Sequence, residues 1–373
     1  MNLLIAGDIV TNESNIKLFK QGDLNKVLGN ELLEKWNNSD YKIFNLEAPI
    51  TNSNDTIKKC GPNLKNNPNI IEGIKKMNPT CVMLANNHIM DYGKNGYNDT
   101  IDYLDTNGIE WIGVGDTIDK LKKYCIINNR IGIYNVCETE FSGATVNESG
   151  ANCYNEFSIG KDLIELKSKC EYLIVIYHGG KEYYRYPSPI LQKRCRYMID
   201  CGANLIICQH SHCIGCKEEY NNHTIIYGQG NFIFNKKSDE YWDTSILVDL
   251  DLDNYLISYL PILRTEYGTK LADNENGKII MQEFEERSKK IEIDSFVLEN
   301  YKEFSDTKVY EYLFALHGKN LFYKVLNKLF GPKFIKIFYN KKNLLPILNY
   351  IECESHRELL INGLKNVIYN DNK

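Results

Sequence analysis

The feature that most constrains this chain is a recurrence. Five times along the sequence an apolar, strand-like run finishes on a side chain able to ligate a cation. Asn2–Ile9 closes on Gly7-Asp8, and Tyr41–Leu46 closes on Asn45-Leu46-Glu47. Thr80–Leu84 leads into Asn86-Asn87-His88, Tyr172–Tyr177 into His178, and Leu205–Ile207 into His210 and His212. Helical spacing of apolar residues separates these runs, over Leu24–Trp36, Pro68–Met77, Gly96–Thr106, Lys161–Lys169 and Pro189–Asp200. Strands alternating with helices predict an α/β domain. In such sheets ligands bind in the crevice beyond the carboxyl ends of the strands, where all five polar endings would meet.

The residue types point to metal chemistry. Side chains two apart on a strand share a face, so His210 and His212 are expected to converge on one point. Neutral imidazole is a common ligand for transition metals. A mixed set of Asp8, Glu47, Asn87, His178, His210 and His212 suits a binuclear Mn, Fe or Zn centre better than magnesium or structural zinc. Two such ions clamp a phosphoryl group and lower the pKa of a bound water, while an imidazole near the leaving oxygen donates a proton. His88, directly after Asn87, takes that acid role. The competing reading makes Asp8 and Glu47 helix caps and leaves the histidines bonded to backbone. Recurrence in chain order favours ligands.

Several neighbours keep two readings open. Asp91 either holds His88 or caps the helix that starts near Gly93. Glu182 either orients a ligating imidazole or forms a surface ion pair. Lys181, Tyr184 and Arg185 either contact an anionic substrate or form a solvated cluster. Gly228, Gly230 and Asn231 are expected to make a tight turn beside the metals. His223, His317 and His356 lie off the pattern, and Glu138–Phe157 reads as a long polar surface loop.

At 373 residues the length suits about two domains. Net charge is −5 with no long basic run, so nucleic acid is not an implied partner. No stretch approaches the ~20 apolar residues of a membrane span, and Met1 runs into Leu3-Leu4-Ile5-Ala6 with no leader pattern. The 12 scattered cysteines read as reduced thiols, which predicts a cytoplasmic location; Cys213-Ile-Gly-Cys216 is a lone C-x-x-C without a second pair. Beyond Asp273 the texture becomes charged and helix-prone, with a break at Gly331-Pro332 and a final helix over Glu354–Ile368. The expected division is an α/β domain over 1–272 and a mostly helical extension over 273–373.

Four segments together resemble a known family: Asn86-Asn87-His88 with Asp91 and Gly93; His178-Gly179-Gly180-Lys181-Glu182 with Pro187; Gly202-Ala203-Asn204 through His210-Ser211-His212; and Tyr227-Gly228-Gln229-Gly230-Asn231-Phe232. They look like the CapA family of poly-γ-glutamate capsule synthesis proteins, which is similar to calcineurin-like metallophosphoesterases. The resemblance implies a four-layer α/β/β/α sandwich of the metallo-dependent phosphatase type with its site at the strand ends. It also implies one ion position formed by Glu47, Asn87, His178 and His210 and another formed by Asp8, Glu47 and His212. Three departures stand out: Asp8-Ile9-Val10 replaces the D-x-H of the first motif, Glu47 stands for the usual bridging Asp, and Gly180 stands where the family carries an aromatic. The implied role is capsule or surface-polymer synthesis by a metal-dependent phosphoesterase-type hydrolase holding one or two ions (Mn, Fe or Zn). Its partners would be an anionic small-molecule or polymer substrate and other capsule-synthesis proteins. The alternatives are a non-catalytic polymer-binding partner of a synthase and a metal-dependent γ-glutamyl or amide hydrolase.

Overall fold

A computed structural model describes residues 1–234, 239–316, 325, 328–329, 339 and 341–369. Among these residues the architecture is mixed α/β, dominated by two sheets. An eight-stranded sheet runs in the order Thr269–Leu271, Ile257–Arg264, Thr244–Asp251, Asn2–Val10, Tyr41–Leu46, Cys81–Met83, Trp111–Ile112, with Asn231–Phe234 also pairing with Asn2–Val10. A six-stranded sheet runs Lys217–Tyr220, His223–Ile226, Leu205–Gln209, Tyr172–His178, Ile131–Cys137, Tyr124–Ile127. A two-stranded ribbon joins Val114–Gly115 to Gly150–Ala151.

Period-two alternation explains how the sheets pack. Leu3, Ile5, Ile43 and Met83 from the first sheet share one core with Ile133, Ile174, Ile176, Leu205 and Ile207 from the second. The intervening residues Leu4, Ala6, Phe44, Leu46 and Val82 face a second core with the helices Ile16–Gln21, Leu24–Leu28, Asn30–Asn38, Ile71–Met77 and Gly93–Thr106. Tyr134, Leu173, Val175 and Ile206 face a third core with the helices Ile159–Lys167 and Pro189–Asp200. The central strands are thus buried on both faces, which is why they read as continuous apolar runs.

The parallel strands bring their carboxyl ends to one edge of each sheet. Asp8 lies level with Asn45 and Asn231 in the first sheet, and His178 lies level with Cys137 and Gln209 in the second. The expected Leu24–Trp36 helix is two helices, Leu24–Leu28 and Asn30–Asn38, because Gly29 between them is left-handed at φ 67°. Trp36 still reaches the core, where it stacks on Phe232 and donates to the Met77 carbonyl at 2.8 Å.

The chain divides into compact units at Met1–Leu298 and Glu299–Lys373. The helix Asn274–Lys290, expected in the C-terminal extension, lies in the first unit because Ile280 and Phe284 are buried in the core between the sheets. In the second unit Leu313 packs with Tyr310, Phe314, Tyr339 and Leu344, and the chain continues as helices Lys341–Glu352 and Glu354–Tyr369. Gly331-Pro332 and His317 lie outside the described residues. No helix among the described residues is long and apolar enough to cross a membrane.

Gly7 carries the approach between the Asn2–Val10 strand and the chain entering Asn231–Phe234. A Cβ there would sit 2.2 Å from the Gly230 carbonyl oxygen, which is backbone and cannot swing away. Gly7→Ala should lower stability by about 1–3 kcal/mol, read as a lower urea midpoint with an unchanged slope. An unchanged midpoint would show that the two strands part freely.

Candidate metal centre

The site forms where the strand ends of the two sheets face each other. Asp8 and Glu47 come from neighbouring strands of the first sheet, Asn87 from the loop after Cys81–Met83, and His178 and His210 from the second sheet. All are buried, Asp8 and Glu47 to 0% exposure. Asp8 Oδ1 accepts from Asn45 Nδ2 at 2.7 Å, and Asp8 Oδ2 accepts from the His210 backbone N–H at 3.3 Å. Neither Asp8 nor Glu47 caps a helix; the first helix has Asn15 at its N-cap and lacks a side-chain cap bond.

Glu47 decides the chemistry of the site. His178 Nε2 lies 3.4 Å from its Oε1, a charge contact without hydrogen-bond alignment, and neither Glu47 oxygen has a hydrogen-bond partner among the described residues. A buried carboxylate without donors costs several kcal/mol unless a cation compensates it. Two groups of ligand atoms converge on it, each with members within 4.8 Å of one another: Glu47, His178 and His210, and Asp8, Glu47 and His212. These buried Asp, Glu and His clusters can bind a metal ion. Asn87 Oδ1 sits 3.1 Å from His178 Nε2, on the side of the first group. An orphaned carboxylate, neutral-capable imidazoles and an amide oxygen fit a borderline divalent cation.

The two histidines of the H-x-H pair reach these groups by a route other than strand alternation. The strand ends at Gln209, and His210 and His212 follow in a turn with left-handed backbones at φ 81° and 55°. Such conformations are uncommon for non-glycine residues and collect at functional sites. Each ring joins a different group, so the pair does not converge on one point. His212 is fixed by a 2.9 Å contact from Nδ1 to Asn231 Oδ1, by Trp242 stacked on it at 4.6 Å, and by the edge of Phe234. Asn231, expected in a turn, begins the strand Asn231–Phe234.

Charge settles the imidazoles differently. Burial pushes His178 down, but Asp8 and Glu47 outweigh it and hold the ring up to about 10. Burial would raise Asp8, but His178 overcomes it and keeps the carboxyl below its ordinary range. Burial, with His178, His212, His88 and Lys181 adding to it, pushes His210 well below 6.5, so its ring is neutral.

His88 and Asp91 stand together. His88 Nδ1 lies 2.6 Å from Asp91 Oδ2, which also accepts from the Leu64 N–H at 2.6 Å, while Asp91 Oδ1 takes the ammonium of Lys59. The Gly93–Thr106 helix has Tyr92 at its N-cap and no side-chain cap, so Asp91 is a partner of His88 and not a cap. Lys59 reaches this pair from a long loop with its side chain 2% exposed, and nothing in its local sequence marks it.

The expected outer residues are redistributed. Glu182 is half-buried and makes no ion pair or hydrogen bond with a site imidazole among the described residues; the carboxylate beside His210 is that of Glu138, 3.8 Å from Nε2. Tyr184 is buried against Tyr186. Arg185 donates to the carbonyls of Ile214 and Glu240, so it braces two loops. Together with Arg287, which donates to Gly215 O, it pins the turn carrying the buried Cys213 and Cys216. Glu138 opens the segment expected to be a surface loop, yet Ser142, Gly150, Ala151 and Asn152 in that segment are buried. The strand-end rule would have found Glu138, since it directly follows Ile131–Cys137.

The chain matches the family described as bacterial capsule synthesis protein PGA_cap over residues 2–236, and it belongs to that family of CapA-type poly-γ-glutamate capsule synthesis proteins. It is 30% identical over 207 residues to the PGA biosynthesis protein CapA of Bacillus subtilis, covering 53% of this chain and 54% of that protein. It is 28% identical over 211 residues to the capsule biosynthesis protein CapA of Bacillus anthracis, covering 53% and 51% respectively. The chain thus spans about half the length of the curated relatives it matches. A hypothetical protein of Thermus thermophilus is similar with a TM-score of 0.44 at 14% identity, covering 70% of this chain and 98% of that one.

The raised His178 makes a signed prediction. Stability from its pairing with Asp8 and Glu47 is fully present below 6.5 and is lost as pH rises through about 10. Chelator-treated protein should therefore lose stability across that window more steeply than His178→Gln, measured by denaturant unfolding at each pH. Equal slopes would show that the ring is neutral throughout.

Proposed function

We propose that this chain is a metal-dependent hydrolase of the phosphoesterase type serving poly-γ-glutamate capsule or surface-polymer synthesis. We read its helices on either side of two packed sheets as the four-layer sandwich of metallo-dependent phosphatases, and the three cores between those layers support that reading. The observation that carries the reading is Glu47, whose two buried oxygens lack hydrogen-bond partners among the described residues and sit at the junction of two ligand groups. Glu47, Asn87, His178 and His210 would hold one divalent ion (Mn, Fe or Zn), and Asp8, Glu47 and His212 a second. When bound, ions of this kind polarise a phosphoryl oxygen and lower the pKa of a coordinated water.

The chain's own residues supply positioning and the proton. We assign the N–H of His88 to Nδ1, because its 2.6 Å contact to Asp91 Oδ2 is shorter than its 3.1 Å contact to Lys59 Nζ, and this leaves Nε2 as the edge that serves the leaving oxygen. Lys59 and the Leu64 N–H occupy the remaining capacity of Asp91, so the carboxylate cannot turn away from the ring. Asn45 Nδ2 donates to Asp8 Oδ1 at 2.7 Å and lies 3.2 Å from His178 Nδ1, where the two sheets face each other.

Val10 supports a second reading. It stands where the first motif of metallophosphoesterases carries a ligating histidine, is buried to 5% exposure, and offers no donor atom. A weakly loaded centre that binds an anionic polymer without cleaving it would accept such a residue.

Elemental analysis and turnover assays with phosphomonoester, phosphodiester and poly-γ-glutamate substrates separate the readings. Loaded protein should hydrolyse a phosphate ester, lose that activity to chelation and regain it with Mn, Fe or Zn. His88→Asn should keep its metal and lose about 10²–10⁴-fold in kcat. Cleavage of the polymer alone would mark a γ-glutamyl hydrolase. Polymer binding that survives chelation and His210→Ala, without turnover, would mark a non-catalytic partner.

A further inference from the structure

We propose that Glu138 is a positioning residue for His210: its carboxylate takes the Nε2–H edge of the ring, so that Nδ1 is the atom turned toward Glu47 and His178. The inference rests on the metal-site reading and adds a residue and a tautomer to it. Three observations lead there. His210 Nδ1 is buried and has no hydrogen-bond partner among the described residues. His210 Nε2 lies 3.8 Å from Glu138 Oε1. The group whose ligand atoms lie within 4.8 Å of one another contains Glu47, His178 and His210 but not Glu138, so Glu138 stands outside the cluster.

Glu138 is held in place independently of His210. Its backbone N–H donates to His178 O at 3.0 Å, and its Oε2 accepts from the Gly180 N–H at 3.1 Å. Its stem packs on Gly179, where a Cβ would come within 3.0 Å of Glu138 Cβ and Cγ. A carboxylate anchored through one oxygen presents the other to a neighbour. A neutral imidazole carries one N–H, and which nitrogen bears it is set by the bond the other edge makes. The 3.8 Å separation is an ion-pair distance, longer than a hydrogen bond, and an aligned N–H···O contact requires it to close by under 1 Å. Metal-ligating histidines donate their other ring N–H to a carboxylate, and loss of such a partner typically weakens metal binding about 10–100-fold.

The test uses the full chain with Mn²⁺ and Zn²⁺ as probes. Ring ¹⁵N NMR of the metal-free wild type should show His210 as the Nε2–H tautomer; an Nδ1–H ring would overturn the proposal whatever the variants do. By titration calorimetry Glu138→Gln should bind about 10–100-fold more weakly with a mixed tautomer, and Glu138→Asp should recover part of the loss. Affinity within twofold and an unchanged tautomer in Glu138→Gln would overturn the positioning role while leaving the metal site standing. Wild type that binds neither ion would overturn the metal-site reading and this proposal with it.

Discussion

Two carboxylates buried at 0% exposure, Asp8 and Glu47, impose the condition that the rest of the site satisfies. Charges removed from water are tolerated only with compensation at short range. Asp8 finds it in Asn45, the His210 N–H and the raised imidazolium of His178. Among the described residues Glu47 has the unaligned His178 contact and no hydrogen-bond donor to its carboxylate. That asymmetry makes the cluster an acceptor for a cation and not merely a closed ion pair. A bound divalent ion would replace the His178 proton in this balance, so metal uptake and protonation compete for the same carboxylates.

The two ligand groups have different surroundings. The group of Glu47, His178 and His210 adjoins the polar atoms of Asn87 and Glu138. The group containing His212 adjoins rings, with Trp242 stacked on the imidazole, Phe234 edge-on and Tyr183 tilted at 6.1 Å. Polar surroundings orient ligands and raise their basicity, whereas aromatic walls mainly exclude water. Asp91 ties Lys59, Leu64 and His88 together, so a loop distant in sequence depends on the same residue that orients the proposed proton donor.

Much of the fold was legible because its central strands are apolar on both faces and end abruptly in polar residues. Asp8, Glu47, Asn87, His178, His210 and His212 come together as their positions at strand ends implied. The misses share a cause, which is that local pattern does not report backbone handedness or long-range pairing. Gly29 splits one helical period into two helices, and left-handed backbones separate His210 from His212. Asn231–Phe234 joins the first sheet beside Asn2–Val10, a pairing over more than two hundred residues that no local signal announces. Glu138 was hidden by the polarity of the segment it opens.

By itself the sequence determined the alternation of strands and helices, the chemical types delivered to the strand ends and the family the chain belongs to, since these follow from residue identity and spacing. Only the tertiary structure decided which atoms meet. The burial that leaves Glu47 without donors, the choice of Glu138 over Glu182 beside His210, and the recruitment of Lys59 to Asp91 all depend on how two sheets register against each other. The physical reason is that desolvation and charge compensation are properties of an enclosed volume, and that volume exists only after distant segments pack.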